Sequence, residues 1–146
     1  AVLCPVGGGG LAAGTVLATW SVAPDCRVIL GEPAAADDAL QSLSAGRIVP
    51  ADNPDTIADG LKTSLGSLTF PILQSGVERI ITVSEAEIVE ALRFVWTRLK
   101  IVIEPSSAVP VAAMRKDPDI FRGQRVGIIL SGGNVDLDQL PRILRT

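Results

Sequence analysis

Four consecutive glycines, Gly7, Gly8, Gly9 and Gly10, lie between an apolar run and a helix-like stretch. Such a turn leaves several backbone N–H groups unpaired and pointing one way. Without Cβ atoms, an anion can come close to the main chain. The helix that follows adds its positive end, so the place suits a phosphate; a plain glycine-rich turn is the alternative. Further along, Ser131 opens Ser131-Gly132-Gly133-Asn134 after a strand-like run. A hydroxyl at a strand end can hydrogen-bond a ring nitrogen, and the glycines let a ligand approach; a turn with glycines at positive φ is the alternative. Gly60, after Asp59, could give a flat ligand room against the backbone or simply form a turn. Glu104 follows Ile101, Val102 and Ile103 and precedes Pro105-Ser106-Ser107. If buried it suits proton work; otherwise it is an ordinary acid at a helix start. Glu32, Asp37 and Asp38 form an acidic cluster. Glu32 and Asp38 with the Ala36 carbonyl could supply half the oxygen shell of a hard divalent cation. On spacing alone these acids read better as the solvated first turn of a helix.

Composition removes several classes of function. The chain contains no histidine, which excludes Ser-His-Asp and Cys-His catalysis and histidine metal sites within these residues. Gly8, Gly10 and Gly14 miss the dinucleotide fingerprint G-x-G-x-x-G, although Glu32 fits its acid, and the Gly-Lys-Ser/Thr of a P-loop is absent. The net charge is -3, with no basic run or aromatic platform, so nucleic acid is not an expected partner. Scattered Lys and Arg, and no apolar run of spanning length, argue against a membrane. Cys4 and Cys26 sit in apolar runs and read as buried free thiols of a reducing, cytoplasmic compartment; no signal peptide is visible. Apolar residues make up 47% before the 14 glycines are counted, whereas about 45–50% is ordinary with glycine included. Part of the apolar surface is therefore expected to face polypeptide outside these 146 residues, which are long enough for about one domain.

The elements that must position these residues alternate. Strands are expected at 2–6, 26–31, 79–83 and 125–130, with Glu32-Pro33 ending the second. Helices are expected at 11–21, mostly buried, and at 36–45, closed by Gly46. Residues 46–56 read as a loop, and glycines and prolines interrupt anything long between 57 and 80. Ser84 and Glu87 form a capping box, followed by a buried face of Ile88, Ala91, Leu92, Val95 and Leu99. Residues 101–104 read as extended or irregular. Pro105 starts a helix to about Arg115 that Pro110 should kink or end. Asp117-Pro118-Asp119 reads as a turn, and the tail 137–146 as one more helical turn. The pattern predicts a single α/β domain over 1–146, a mostly parallel sheet with helices on both faces. Ligands sit at the carboxyl ends of such strands. Three of those ends carry polar or glycine-rich sequence, at Gly7–Gly10, Glu32–Asp38 and Ser131–Asn134.

Taken together, PVGGGGLAAG, GEPAAADDALQS, TIADGLKTS, the run from ITVSEAEI to IEPSSA, and ILSGGNVDL resemble the fold-type II pyridoxal phosphate enzymes, in the serine racemase and serine/threonine dehydratase branch. The resemblance spans nearly the whole chain and implies the C-terminal portion of the large cofactor-binding domain. It makes Gly7, Gly8, Gly9 and Gly10 the loop that holds the cofactor phosphate. Ser131 would be the hydrogen-bond partner of the pyridine nitrogen, Gly60 would line the ring, and Glu104 would support it. Glu32, the Ala36 carbonyl and Asp38 match that branch's site for Mg²⁺ or Ca²⁺. The family's Schiff-base lysine has no counterpart, because Lys62, Lys100 and Lys116 match no such motif. No catalytic residue is therefore expected here, and the chain alone should be inactive. A complete enzyme would pair it with an N-terminal part, as a homodimer, and act on a small amino acid by racemisation or by β-elimination from serine, threonine or 3-hydroxyaspartate. Cysteine synthase-like β-replacement, and an inactive fragment that binds a phosphorylated ligand or a partner, are the alternatives.

Overall fold

The computed structural model describes residues 1–144. Four parallel strands, β1 (Val2–Pro5), β2 (Val28–Pro33), β3 (Val77–Val83) and β4 (Gly127–Ile128), form one sheet in the order β3-β2-β1-β4. Side chains alternate across it. Leu3 and Ile29 enter the core on one face, and Cys4, Val28 and Leu30 enter the core on the other. Helices α4 (Glu85–Phe94) and α5 (Pro105–Lys116) cover the first face. Helices α1 (Gly10–Val22), α2 (Asp38–Ala45) and α3 (Phe70–Gly76) cover the second. The expected doubly covered α/β sheet is present. Leu3, Ile29 and Leu30 are fully buried, and each such side chain contributes roughly 1.5–3 kcal/mol of transfer free energy.

Several elements differ from the sequence expectation, each for a local reason. β2 runs on through Glu32 and Pro33, which pair with Thr82 and Val83; Pro33 has no N–H to give the ladder, and the strand ends with it. Glu32 therefore lies in the strand rather than after it. β4 pairs as two residues instead of six, with Gly127 and Ile128 against Val2 and Leu3. α5 passes through Pro110 without a break. Every residue from Pro105 to Ala113 is buried, and a Cβ at Gly31 would lie 3.2 Å from the Pro110 nitrogen. The helix is wedged against β2, and this packing outweighs the lost backbone hydrogen bond. After α4 the chain makes one π-helical turn, Val95–Leu99. That turn takes more residues per revolution, so Val95 stays buried while Leu99 swings out to 55% exposure. α1 is apolar all round but buries only Ala12, Ala13 and Val16. Leu11, Leu17, Trp20 and Val22 stay exposed.

The capping box is present as expected, with Ser84 accepting from the Glu87 N–H and Glu87 accepting from the Ser84 N–H. Gly46 closes α2 at φ 67°. The tail forms a 3₁₀ turn, Leu137–Gln139, and the short helix α6 (Leu140–Ile143); the rest of the expected tail, Arg145 and Thr146, lies outside the described residues. Both cysteines are free, but only Cys4 is buried and Cys26 is half-buried. Among the described residues no helix is long and apolar enough to cross a membrane.

Candidate functional site

All four strands run the same way, so their carboxyl ends share one edge of the sheet. There a cleft of about 190 Å³ is lined by Pro5, Gly7, Gly8, Gly9, Gly10, Gly60, Glu104, Ser106 and Ser131, with neighbouring atoms of α1. The glycine row, Gly60, Glu104 and Ser131, far apart in sequence, thus meet in one place. Glu32 does not reach it. The remaining walls are the N-terminus of α5 and the 3₁₀ turn Asp59–Leu61.

The glycine loop has two kinds of position. Gly9 sits at φ +85° as the residue before α1, and a Cβ there would lie 2.7 Å from Thr69 Oγ1. Only glycine fits that backbone and that space. Thr69 Oγ1 donates to the Gly8 carbonyl at 2.9 Å, as does the Gly66 N–H at 3.2 Å, turning this carbonyl into the protein. A Cβ at Gly7 would press on the carbonyl oxygen of Gly60 and on Leu61, both 3.2 Å away, so the loop and the Gly60 turn are in contact. At Gly10 a Cβ would meet nothing within 4 Å, and at Gly8 nothing nearer than 3.8 Å. Among the described residues, the N–H groups from Gly7 to Ala12 have no protein partner. Open space beside unpartnered donors at a 13-residue helix's positive end fits an anion such as a phosphate.

Opposite the loop, α5 clasps the strand end that carries Ser131. The Glu104 N–H donates to the Gly132 carbonyl at 3.1 Å, and Glu104 Oε2 accepts from the Asn134 N–H at 2.9 Å. A Cβ at Gly132 would lie 2.6 Å from the Glu104 carboxyl carbon. Glu104 is half-buried and serves first as this clasp. Two serines that the sequence reading passed over complete it. Ser106 Oγ accepts from the Gly60 N–H at 3.1 Å, and Ser107 Oγ accepts from the Gly132 N–H at 2.7 Å. Adjacent hydroxyls just after Glu104-Pro105, the start of a proline-led helix, were the available signal.

The acidic cluster lies elsewhere. Glu32 is 1% exposed, and its two carboxylate oxygens accept from the N–H groups of Ala39 and Leu40 at 2.8 and 3.0 Å. Burial pushes its pKa up to about 8 against the opposing pull of those two bonds, and Asp38 and Asp37 add to the rise. Asp38 is also buried, accepts from the Leu65 N–H at 3.2 Å, and has its pKa raised by burial. Ala36 is buried beside them, and Ala36, Asp37 and Asp38 border a pocket of about 230 Å³. Among the described residues no Lys or Arg pairs with Glu32 or Asp38, and no three acidic, Cys or His side chains are arranged as a metal cluster. Two buried carboxylates and a carbonyl without a cationic partner suit a hard cation in donor chemistry. A larger cavity, about 680 Å³ around Ile57, Lys62, Glu85 and Asn134, has no glycine cradle.

The profile of the pyridoxal-phosphate dependent enzymes matches residues 1–132. The chain belongs to this family. It is 52% identical over 141 residues to a β-hydroxyaspartate dehydratase of Paracoccus denitrificans, covering 97% of this chain and 45% of that protein. It is 48% identical to a serine racemase of Dictyostelium discoideum, whose crystal structure superimposes with a TM-score of 0.85 over 93% of this chain and 44% of that one. A serine racemase of maize superimposes with a TM-score of 0.91 at 38% identity, over 99% of this chain and 45% of that one. The chain thus spans about half the length of these relatives, and the resemblance drawn from its motifs holds. In this family member the glycine loop, the Gly60 turn and Ser131 line a single cleft.

Proposed function

We propose that this chain forms the phosphate- and ring-binding half of a pyridoxal phosphate site in a longer enzyme, which racemises a β-hydroxy amino acid or converts it to a 2-oxo acid and ammonia. The observation that carries this reading is the row of unpartnered N–H groups from Gly7 to Ala12 in one cleft with the Ser131 hydroxyl. Bound pyridoxal phosphate supplies an electron sink for negative charge at the amino acid's Cα. The glycine loop binds the phosphate dianion through backbone donors and the α1 dipole. Gly60, pinned by Ser106, gives the ring a flat wall. Ser131 donates one neutral hydrogen bond to the ring nitrogen, which leaves that nitrogen unprotonated and tempers the sink. None of Lys62, Lys100 or Lys116 lines the cleft, and Lys116 is engaged by the Thr82 carbonyl and Glu87. The amine that reacts with the cofactor then comes from polypeptide outside this sequence.

The substrate class follows the relatives' names, a hydroxyaspartate dehydratase and a serine racemase. Mg²⁺ or Ca²⁺ held by Glu32, the Ala36 carbonyl and Asp38 belongs to the same proposal, supported by buried carboxylates that pair with no Lys or Arg among the described residues; the ion would neutralise them and tie β2 to α2. A homodimer with apolar surface such as Leu11 and Trp20 covered is the expected assembly, and free thiols favour the cytoplasm. The test assays the full-length protein with pyridoxal phosphate and L-serine, L-threonine or 3-hydroxyaspartate, following ammonia, 2-oxo acid and optical rotation. Turnover of any of these without sulfide supports the reading. Activity that requires sulfide would move it to β-replacement, and no activity with any of them would overturn it.

A further inference from the structure

Ser107 is fully buried in the first turn of α5, and no water reaches it. Its oxygen already accepts the Gly132 N–H at 2.7 Å. Its own proton needs an acceptor, and among the described residues the one within reach is Ser131 Oγ, 3.5 Å away. The direction of this pair is thereby set. Were Ser131 to donate to Ser107, the Ser107 proton would be buried without a partner, which is costly. Were Ser107 to donate, Ser131 keeps its own proton for the cleft, where it is exposed. The separation exceeds that of a formed O–H···O bond, as is common for site contacts that tighten when a ligand engages.

We infer that Ser107 is a positioning residue that commits Ser131 to act as a hydrogen-bond donor toward the ligand in the cleft. The inference rests on the cofactor reading above. It explains how a serine, which can donate or accept, is held as a donor by a neutral neighbour. The amide of Gly132 orients Ser107, Ser107 orients Ser131, and Ser131 would donate to the ring nitrogen of a bound cofactor. Each link strengthens the next because a hydroxyl that accepts a bond becomes a better donor.

The experiment uses the full-length holoenzyme and four proteins: wild type, Ser107→Ala, Ser131→Ala and the double variant. Two quantities are read, the dissociation constant of pyridoxal phosphate and the absorption spectrum of the bound cofactor against pH. Ser107→Ala is expected to weaken cofactor binding about three- to tenfold, the range of one ordinary hydrogen bond. Its spectrum should shift in the same sense as that of Ser131→Ala. The double variant should bind no more weakly than Ser131→Ala alone, because both changes remove one interaction. Ser107→Cys, which keeps the size with a much weaker donor, carries the same cycle if the alanine variant does not fold. Additive losses, or a Ser107 variant with wild-type spectrum and affinity, would overturn the inference while leaving the cofactor reading intact. A wild-type protein that binds no pyridoxal phosphate would overturn both.

Discussion

The cleft at the ends of β1 and β4 and the acidic pocket between β2 and α2 are built from opposite materials. The cleft uses backbone N–H groups, neutral serines and missing Cβ atoms, with Glu104 turned toward the Ser131 strand end rather than toward the glycine loop. Asp38 borders the pocket and Glu32 lies on β2 outside its lining; both are buried, and neither pairs with a Lys or Arg among the described residues. A backbone cradle holds an anion without burying a charge, so it is stable empty. Two buried carboxylates are not at ease alone, and burial raises both pKa values. On the proposed reading one region stands preformed, whereas the other holds buried charge that a bound cation would offset.

Four substitutions probe this contrast. Gly9→Ala should be the most damaging, since it forces a Cβ onto a φ of +85° and into Thr69; a loss on the order of 3 kcal/mol in thermal unfolding is expected, with cofactor binding abolished. Asp38→Ala should abolish stabilisation by Mg²⁺ or Ca²⁺, worth about 2.7 kcal/mol at an ion concentration a hundred times its dissociation constant; an unchanged melting response to both ions would sink the metal assignment. Gly10→Ala, where a Cβ meets nothing, should keep the wild-type melting temperature yet still weaken cofactor binding, and calorimetry with dialysis separates the two. Ser84→Ala, remote from both regions, should cost about 1 kcal/mol through the lost cap and leave cofactor and ion responses unaltered.

The smallest effect concerns Cys4, on the strand that leads into the cleft. Burial pushes its thiol up to about 11. A folded acid held protonated stabilises the fold fully below its unfolded value near 9, and this is lost as pH rises through about 11. Near pH 8, alkylation followed by mass spectrometry should label Cys26 and spare Cys4 in the folded protein; equal labelling would contradict its burial.

Much of this was legible in the chain. The glycine row, the Ser84/Glu87 box and Gly46 are local signals whose meaning does not depend on distant residues, and each forms the turn or cap its sequence announces. What was hidden depends on tertiary packing. Pro110 reads as a helix breaker until Gly31 is seen against it. Leu99 reads as core until the π-helical turn rotates it away. Glu32 reads as a loop acid because its strand ends in proline. Ser106 and Ser107 gain their role only when α5 places them beside Gly60 and Gly132, residues 46 and 25 positions away.

The proposed division of labour gives this chain the clasp for the cofactor's phosphate and ring but not the lysine that reacts with it. The direct measurement reduces the full-length protein with borohydride in the presence of pyridoxal phosphate and maps the phosphopyridoxyl adduct by peptide mass spectrometry. A single modified lysine outside residues 1–146 is expected, with Lys62, Lys100 and Lys116 unmodified. An adduct confined to one of those three lysines, or no adduct at all, would contradict it.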